Sequence, residues 1–301
     1  MLARSMTRVI SIVGAGRLGT TLARRLRGLG WSVGAVVTRS TRTSRAAVRR
    51  IGAGTPRGHL TRDALVADLI LVTVPDDELR PVATSLAKLG GEQCRGKIVL
   101  HASATLDRSI LAPLERCGAS TGSLHPMQTF TGRESHKGGP NLDGVTFAVE
   151  GDPKARRLAL AVARSLGGVP VEIDSRDKPI YHAAAVLVCG SAFPLVELAL
   201  RMLAKIGFTR RRAMQTLLPL TRQMLDNVER IGPRAAWTGP LSRRDYAIVA
   251  RHATALRSYP RDVRQAYAIL ALLAVRILSK HPATEIGKLK RALANSRGGT
   301  S

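Results

Sequence analysis

The run Val9-Ile10-Ser11-Ile12-Val13-Gly14-Ala15-Gly16-Arg17-Leu18-Gly19 passes from a short β-branched segment, through three glycines spaced GxGxxG, into a helical pattern over residues 17–29. A second apolar run, residues 32–38, follows it. The glycine spacing alone is a weak signal, but between a strand and a helix in a strand–helix–strand unit it marks a dinucleotide site. Each glycine has its own physical task there. Gly14 permits the tight turn, Gly16 lets backbone approach a pyrophosphate, and Gly19 lets the helix pack closely on the sheet. The unpaired N–H groups and positive dipole end at the helix start complete an anion seat. Gly14, Ala15, Gly16, Arg17, Leu18 and Gly19 are therefore the candidate cofactor contacts. About 20 positions further on, an NAD site carries an acid for the ribose hydroxyls. Here that place reads Thr38-Arg39-Ser40, and no Asp or Glu precedes Asp63. Arginines at 39, 42 and 45 suit a 2′-phosphate through charge-assisted hydrogen bonds. The expected cofactor is NADP(H), with Arg39 and Ser40 as its phosphate contacts.

Beyond this unit, short β-branched runs alternate with amphipathic stretches as far as residue 174. Strands are expected at 8–13, 32–38, 69–74, 97–101, 120–124, 145–150 and 169–173. Helical patterns at 78–89, 108–117 and 153–166 lie between them. Such alternation predicts an α/β, doubly wound domain with a mostly parallel sheet. The Gly-, Thr-, Ser- and Pro-rich stretch 127–144 reads as a long mobile loop. After Asp174 the strand signal ends, and residues 178–206, 210–231, 242–256 and 262–280 carry helical periodicity between Gly-Pro breakers. The expected organisation is a nucleotide-binding domain over 1–174, an all-α domain over 175–290 and a disordered tail over 291–301, with the ligand in the cleft between domains.

Composition narrows the function classes. With 301 residues, 45% hydrophobic and 23% charged, the chain is of ordinary globular type. A net charge of +26 raises the question of nucleic acid, but aromatics are only 3%, too few for stacking platforms. The basic excess is spread over both halves, and arginine outnumbers lysine 38 to 9, as in an Arg-rich solvated surface. No specific nucleic-acid partner is expected. Cys94, Cys117 and Cys189 lie far apart with no CxxC, which argues against a disulfide framework and fits a reducing cytoplasm. The charge-free stretch 183–196, and 266–278 with Arg276 inside it, fall short of the ~20 apolar residues of a membrane span. Both read as buried core helices, and the first apolar run is too short for a signal peptide. A cytoplasmic protein without membrane contact is expected.

Several downstream stretches occur in a telling order: Val74-Pro75-Asp76-Asp77, His101-Ala102-Ser103-Ala104, Leu124-His125-Pro126-Met127-Gln128-Thr129-Phe130, Tyr181-His182-Ala183-Ala184-Ala185-Val186 and Trp237-Thr238-Gly239-Pro240-Leu241. From about residue 8 to residue 280 the chain resembles the two-domain family that joins a Rossmann-like domain to domain of unknown function 2520. That family is similar to pyrroline-5-carboxylate reductase, 6-phosphogluconate dehydrogenase and ketopantoate reductase. The resemblance implies a doubly wound Rossmann domain followed by an all-α domain of the 6-phosphogluconate dehydrogenase C-terminal-like type. It also implies NADPH-dependent reduction of a small 2-oxo acid, with ketopantoate (2-dehydropantoate) as a candidate, in a homodimer built through the helical domains. Val74 and Pro75 join the candidate cofactor contacts. Three positions depart from the family pattern: Ala104 and Arg244 stand where it has glycine, and Gly190 stands where it often has asparagine.

Reduction of a carbonyl builds negative charge on oxygen, so the site needs a proton donor. His101, at a strand end on the ligand-binding edge, is one candidate; the other reading is a histidine bonded to backbone. His182, near the start of the most apolar helix, is a second, with a satisfied core histidine as its alternative. His125, before a proline at a strand end, is a third, or else a turn-stabilising residue. Ser103 is expected to orient the nicotinamide or the substrate, unless it bonds local backbone. Lys178 reads as a further candidate, although a lysine before a helix is usually solvated. Asp245 reads as helix-start chemistry. The histidines lack metal-ligand spacing, so no metal is expected. Two functional readings stand: an NADP-dependent oxidoreductase, or a non-catalytic NADP-binding protein that has lost part of its active site.

Overall fold

A computed structural model describes residues 8–131 and 141–294. The chain divides into two compact units, residues 1–194 and 195–301. In the first, eight strands form one sheet: β1 (Val9–Val13), β2 (Ser32–Val37), β3 (Thr55–Arg57), β4 (Leu69–Val72), β5 (Ile98–His101), β6 (Ser120–Pro126), β7 (Thr146–Gly151) and β8 (Val169–Glu172). Their order is β3-β2-β1-β4-β5-β6-β7-β8, parallel throughout except between β6 and β7. The sequence reading missed β3, a three-residue edge strand too short to show a period.

Five helices flank this sheet: α1 (Arg17–Gly28), α2 (Thr41–Ile51), α3 (Asp76–Gly90), α4 (Ala112–Arg116) and α5 (Pro153–Ser165). Strand side chains alternate between two cores, as a period of two requires. Ile10, Ile12, Leu69, Leu71, Ile98 and Leu100 pack with α1, α2 and α5. Val13, Ile70, Val72 and Val99 face the other way, onto α3 and α4. This is the doubly wound Rossmann-like arrangement expected. Because β1 pairs with β2 on one side and β4 on the other, the strand order reverses there, and ligands bind at the carboxyl edge of such a switch point. Gly14, His101 and Ser103 all follow strands onto that edge.

The first unit does not end at Asp174. Helix α6 (Lys178–Ala185) is tied to the sheet by Lys178, whose side chain is buried and bonded to Ser123 of β6. A π-helical turn, Val186–Gly190, then leads into α7 (Ser191–Lys205), and the division between units falls inside α7. The continuous helical run Ser175–Lys205 corrects two expectations. At 31 residues it is long and apolar enough, by length and composition, to cross a membrane. It is also not a buried core helix: Leu187, Val188 and Phe193 are about 70% exposed, with no cover among the described residues.

The second unit holds α8 (Arg210–Ile231), α9 (Pro233–Ala236), α10 (Tyr246–Ala255), α11 (Arg261–Leu278) and α12 (Pro282–Ala294). Its core is small: Val249, Ala271, Val275 and Leu289 are buried, with Trp237, Tyr246 and Tyr267 packed around them. Asp245 accepts the Ile248 N–H and caps α10, which is the helix-start role read from sequence. Helix α12 continues through Ala294, past the expected start of the tail at 291. Residues 295–301, and 132–140 of the expected loop, lie outside the described residues.

Candidate active site

The glycine turn has the geometry its sequence required. Gly14 has φ of +94°, and a Cβ there would lie 2.7 Å from the Val74 Cγ1 and N atoms. Val74 thus walls the turn, and only glycine fits. Gly19 has no room for a Cβ either, pressed against Thr73, the Gly14 carbonyl and Ile12. Gly16 is the opposite case, since a Cβ there meets nothing nearer than the Gly14 carbonyl at 3.9 Å. That open face caps α1 without a side-chain hydrogen bond, and the helix has no acid in its first turn. The N–H groups of Arg17, Leu18 and Gly19 at the helix start therefore suit an anionic ligand. A dinucleotide pyrophosphate fits this cradle. Ala15 is buried, and the Arg17 guanidinium donates to the Phe130 carbonyl at 3.2 Å, pinning the segment after β6. Thr73, which the sequence reading passed over, donates to the Gly14 carbonyl at 2.7 Å and braces the turn from β4.

After β2, Arg39 is exposed with no ionic partner among the described residues, as a free phosphate ligand requires. Ser40 is committed differently: its hydroxyl caps α2 by accepting the Thr43 N–H. Pro75 precedes α3, where Asp76 accepts from Ser103 at 2.8 Å and from Thr105 at 3.2 Å. The Ser103 hydroxyl also accepts the N–H groups of Thr105 and Leu106. It shapes the loop after β5, the local role that was the alternative for a loop hydroxyl.

His101 is fully buried with both ring nitrogens engaged by backbone. Nδ1 accepts the Ser103 N–H at 3.1 Å, which leaves Nε2 to carry the proton and donate to the Asp107 carbonyl at 3.2 Å. Burial, reinforced by the Lys178 charge, pushes its pKa down to about 3. It is a neutral, backbone-bonded histidine. His125 and His182 differ from it. Their rings meet edge to face at 6.0 Å, Tyr181 stands 6.2 Å from His125, and both Nδ1 atoms and the Tyr181 hydroxyl are buried without a hydrogen-bond partner among the described residues. Burial, with His182 and Lys178 adding to it, lowers the His125 pKa to about 4.

Lys178 overturns the solvated reading. It is 1% exposed, and its ammonium donates to Ser123 Oγ at 2.8 Å. Ser123 in turn donates to Glu150 Oε2 at 3.4 Å, and the Arg108 N–H donates to the same oxygen at 3.0 Å. Burial lowers the Lys178 pKa to about 8 against the opposing pull of Glu150, Asp107 and Asp76. Burial raises that of Glu150. Sequence periodicity had no means of finding this ammonium, because the partner that buries it lies 55 residues away on β6. Among the described residues no group of three or more His, Cys, Asp or Glu is placed to hold a metal.

Two family models match the chain: a Rossmann-like domain over residues 3–126 and domain of unknown function 2520 over residues 145–274. The chain joins a Rossmann-like domain to a DUF2520 domain. No curated protein matches its sequence. Among solved structures it is similar to a Bacteroides fragilis protein assigned as an NADP oxidoreductase, with 22% identity and a TM-score of 0.71 over 88% of this chain and 96% of that one. A reductive aminase from Aspergillus terreus, in complex with NADPH and ethyl-5-oxohexanoate, gives 16% identity and 0.60 over 98% and 97%. An imine reductase from Myxococcus stipitatus, a variant in complex with NAD+, gives 20% identity and 0.59 over 96% and 100%. At these identities the likeness is one of fold.

The open face at Gly16 generates a direct test. Gly16→Asp is expected to fold as wild type, by circular dichroism and thermal melting, because the added atoms point into free space. It is expected to lose NADPH binding by fluorescence titration, since a carboxylate there repels a pyrophosphate. Unchanged affinity would move the nucleotide away from this turn.

Proposed function

We propose that this chain is an NADP(H)-dependent oxidoreductase that reduces the carbonyl of a small 2-oxo acid, with Lys178 as the proton donor. The observation that carries the reading is the buried ammonium at the glycine cradle's sheet edge, held by Ser123, which in turn donates to Glu150. Bound NADPH would supply the hydride. As negative charge grows on the substrate oxygen, a cation in a water-poor site stabilises it strongly. At neutral pH Lys178 holds an acidic proton, whereas His101 and His125, pushed to about 3 and 4, do not. The Ser123 hydroxyl and Glu150 carboxylate line up behind the amine to steady it and to share its proton. His125, His182 and Tyr181 have buried polar atoms without partners among the described residues, and a polar substrate would satisfy them. On this reading His182 and His125 bind substrate, and His101 is structural. Arg39 supports the choice of NADP(H) over NAD(H). The three free cysteines suit a cytoplasmic enzyme.

The non-catalytic reading draws on Ala104 and Gly190. Gly190 closes the π-helical turn, where a Cβ would stand 3.1 Å from Val186 Cγ1, and position 190 itself offers no side chain for substrate. The perturbed lysine favours catalysis, because a binding protein gains nothing from burying an unneeded charge.

A second copy of the chain is the partner we propose. Exposed Ile180, Leu187, Val188 and Phe193 in the first unit, and Leu220 and Ile269 in the second, make more apolar surface than a monomer ordinarily leaves in water. The second unit's small core points the same way.

Four outcomes follow. Lys178→Met is expected to lower kcat/KM by about 10²–10⁴-fold with NADPH affinity retained, the usual weight of a general acid. In the wild type, kcat/KM for the active member of a 2-oxo acid panel that includes 2-dehydropantoate should hold up to pH 8 and fall above it. A fall beginning near pH 4 would return the role to His125, and no turnover with any acid or with a cyclic imine would favour the binding protein. Arg39→Ala should weaken NADPH about 10-fold or more and leave NADH little changed; equal losses would mean that another group reads the 2′-phosphate. Light scattering should give twice the 32.2 kDa chain mass, and Leu187→Glu with Phe193→Glu should give the monomer. A monomeric wild type that partitions onto vesicles would make the apolar face a membrane contact instead.

A further inference from the structure

Two of the three cysteines, 23 positions apart in sequence, are neighbours in the fold. Cys94 ends the short 3-10 turn Gly91–Cys94 that leads into β5, and Cys117 follows α4 on the way into β6. These strands are parallel neighbours, with Ile98 opposite Ser120. Just before they pair, the two backbones already touch. The Gly96 N–H donates to the Gly118 carbonyl at 3.0 Å, and a Cβ on Gly118 would lie 3.4 Å from the Arg95 Cα. Each cysteine stands one residue before that Arg95–Gly118 contact. Both cysteines belong to the core cluster on the α3–α4 face, and the Cys117 thiol is near enough to add to the upward push on the Cys94 pKa. Disulfides need Cα atoms about 4.4–6.8 Å apart and side chains that converge; backbone contact one residue beyond each cysteine, with both side chains in one core cluster, brings this pair within reach of such a bridge.

We propose that Cys94 and Cys117 form a redox-modification site, a dithiol that closes to an intradomain disulfide by exchange with a low-molecular-weight disulfide. Cys117 is the partly exposed member and Cys94 is fully buried, so the order of events follows from access. The Cys117 thiolate attacks one sulfur of the small disulfide, forming a mixed disulfide and releasing one small thiol. Cys94 then loses its proton and attacks the Cys117 sulfur, releasing the second small thiol. The balance is one protein dithiol and one small disulfide in, one protein disulfide and two small thiols out. Burial, with the neighbouring thiol adding to it, raises the Cys94 pKa and suits it to the resolving role rather than to first attack. Cys189, exposed in the π-helical turn on a different element, serves as the internal comparison.

The site lies at the amino ends of β5 and β6, whereas His101 and His125 stand toward the carboxyl ends, so its test needs no activity readout. The full-length reduced chain is incubated with oxidised glutathione, quenched by alkylation and analysed by intact and peptide mass spectrometry. The expected result is a cross-linked Cys94–Cys117 peptide pair, with Cys189 present only as a glutathione adduct or alkylated. In Cys94→Ala, Cys117 should stop at the mixed disulfide; in Cys117→Ala, Cys94 should remain a free, slowly alkylated thiol. A wild-type chain that ends with glutathione on Cys117 and Cys94 alkylated would overturn the proposal, as would a cross-link to Cys189. Neither result bears on nucleotide binding or on Lys178.

Discussion

Taking an ammonium out of water costs several kcal/mol unless other groups replace its hydration. At Lys178 the replacement is a line of hydrogen bonds, Lys178 to Ser123 to Glu150, with the Arg108 backbone N–H holding the far carboxylate. Much of the first unit follows from this arrangement. It pulls α6 onto β6, which is why the compact unit runs on past the last strand. It sets the electrostatics of the neighbourhood, because one retained positive charge among buried imidazoles helps to keep them neutral. It also explains why Glu150, on β7, is retained in a place otherwise suited to an apolar side chain: a carboxylate there is costly alone and useful only against the lysine.

The glycine turn and the lysine cluster differ in how far they could be read in advance. Gly14, Gly16 and Gly19 act through backbone conformation within a few residues of one another, so their spacing carries most of the information. The alternation of strands with helices was legible for the same reason. Lys178 was not legible, because its burial depends on a strand 55 residues earlier. The opposite error was made at 183–196. An apolar helix reads as core, yet hydrophobicity records only that water is avoided, not whether the cover comes from the same chain, another copy or lipid. His101 sits between these cases: its place at the sheet edge was read correctly, but the Ser103 and Asp107 backbone groups that occupy its nitrogens belong to a loop whose path no periodicity encodes.

Arg244 shows what one departure from a family pattern costs physically. It has φ of +60°, the only positive value for a non-glycine among the described residues, and the resembled family has glycine there. A side chain in that conformation costs roughly 1–2 kcal/mol. Its guanidinium recovers part of this from Glu285, 2.8 Å away and nearly fully buried, though Glu285 Oε1 makes no well-aligned hydrogen bond. The distance marks an ion pair and the angle marks a poor hydrogen bond, so we regard the contact as charge compensation. The change therefore bears on the packing of α10 against α12 rather than on the chemistry at the sheet edge.

Gly190 asks a different question, because losing an asparagine there removes a polar group without straining anything. The turn that contains it is π-helical, and such turns rotate the residues on either side relative to a continuous α-helix. The consequence falls on the helix before the turn, where Lys178 and His182 are four positions apart and so share one face. Lys178 looks into the sheet, and His182 meets His125 of β6. A site that lacks the asparagine thus still presents a cation and an imidazole from α6, with a second imidazole from β6. On the proposed reading, polar recognition falls to these three side chains, which two rigid elements position without any contribution from residue 190.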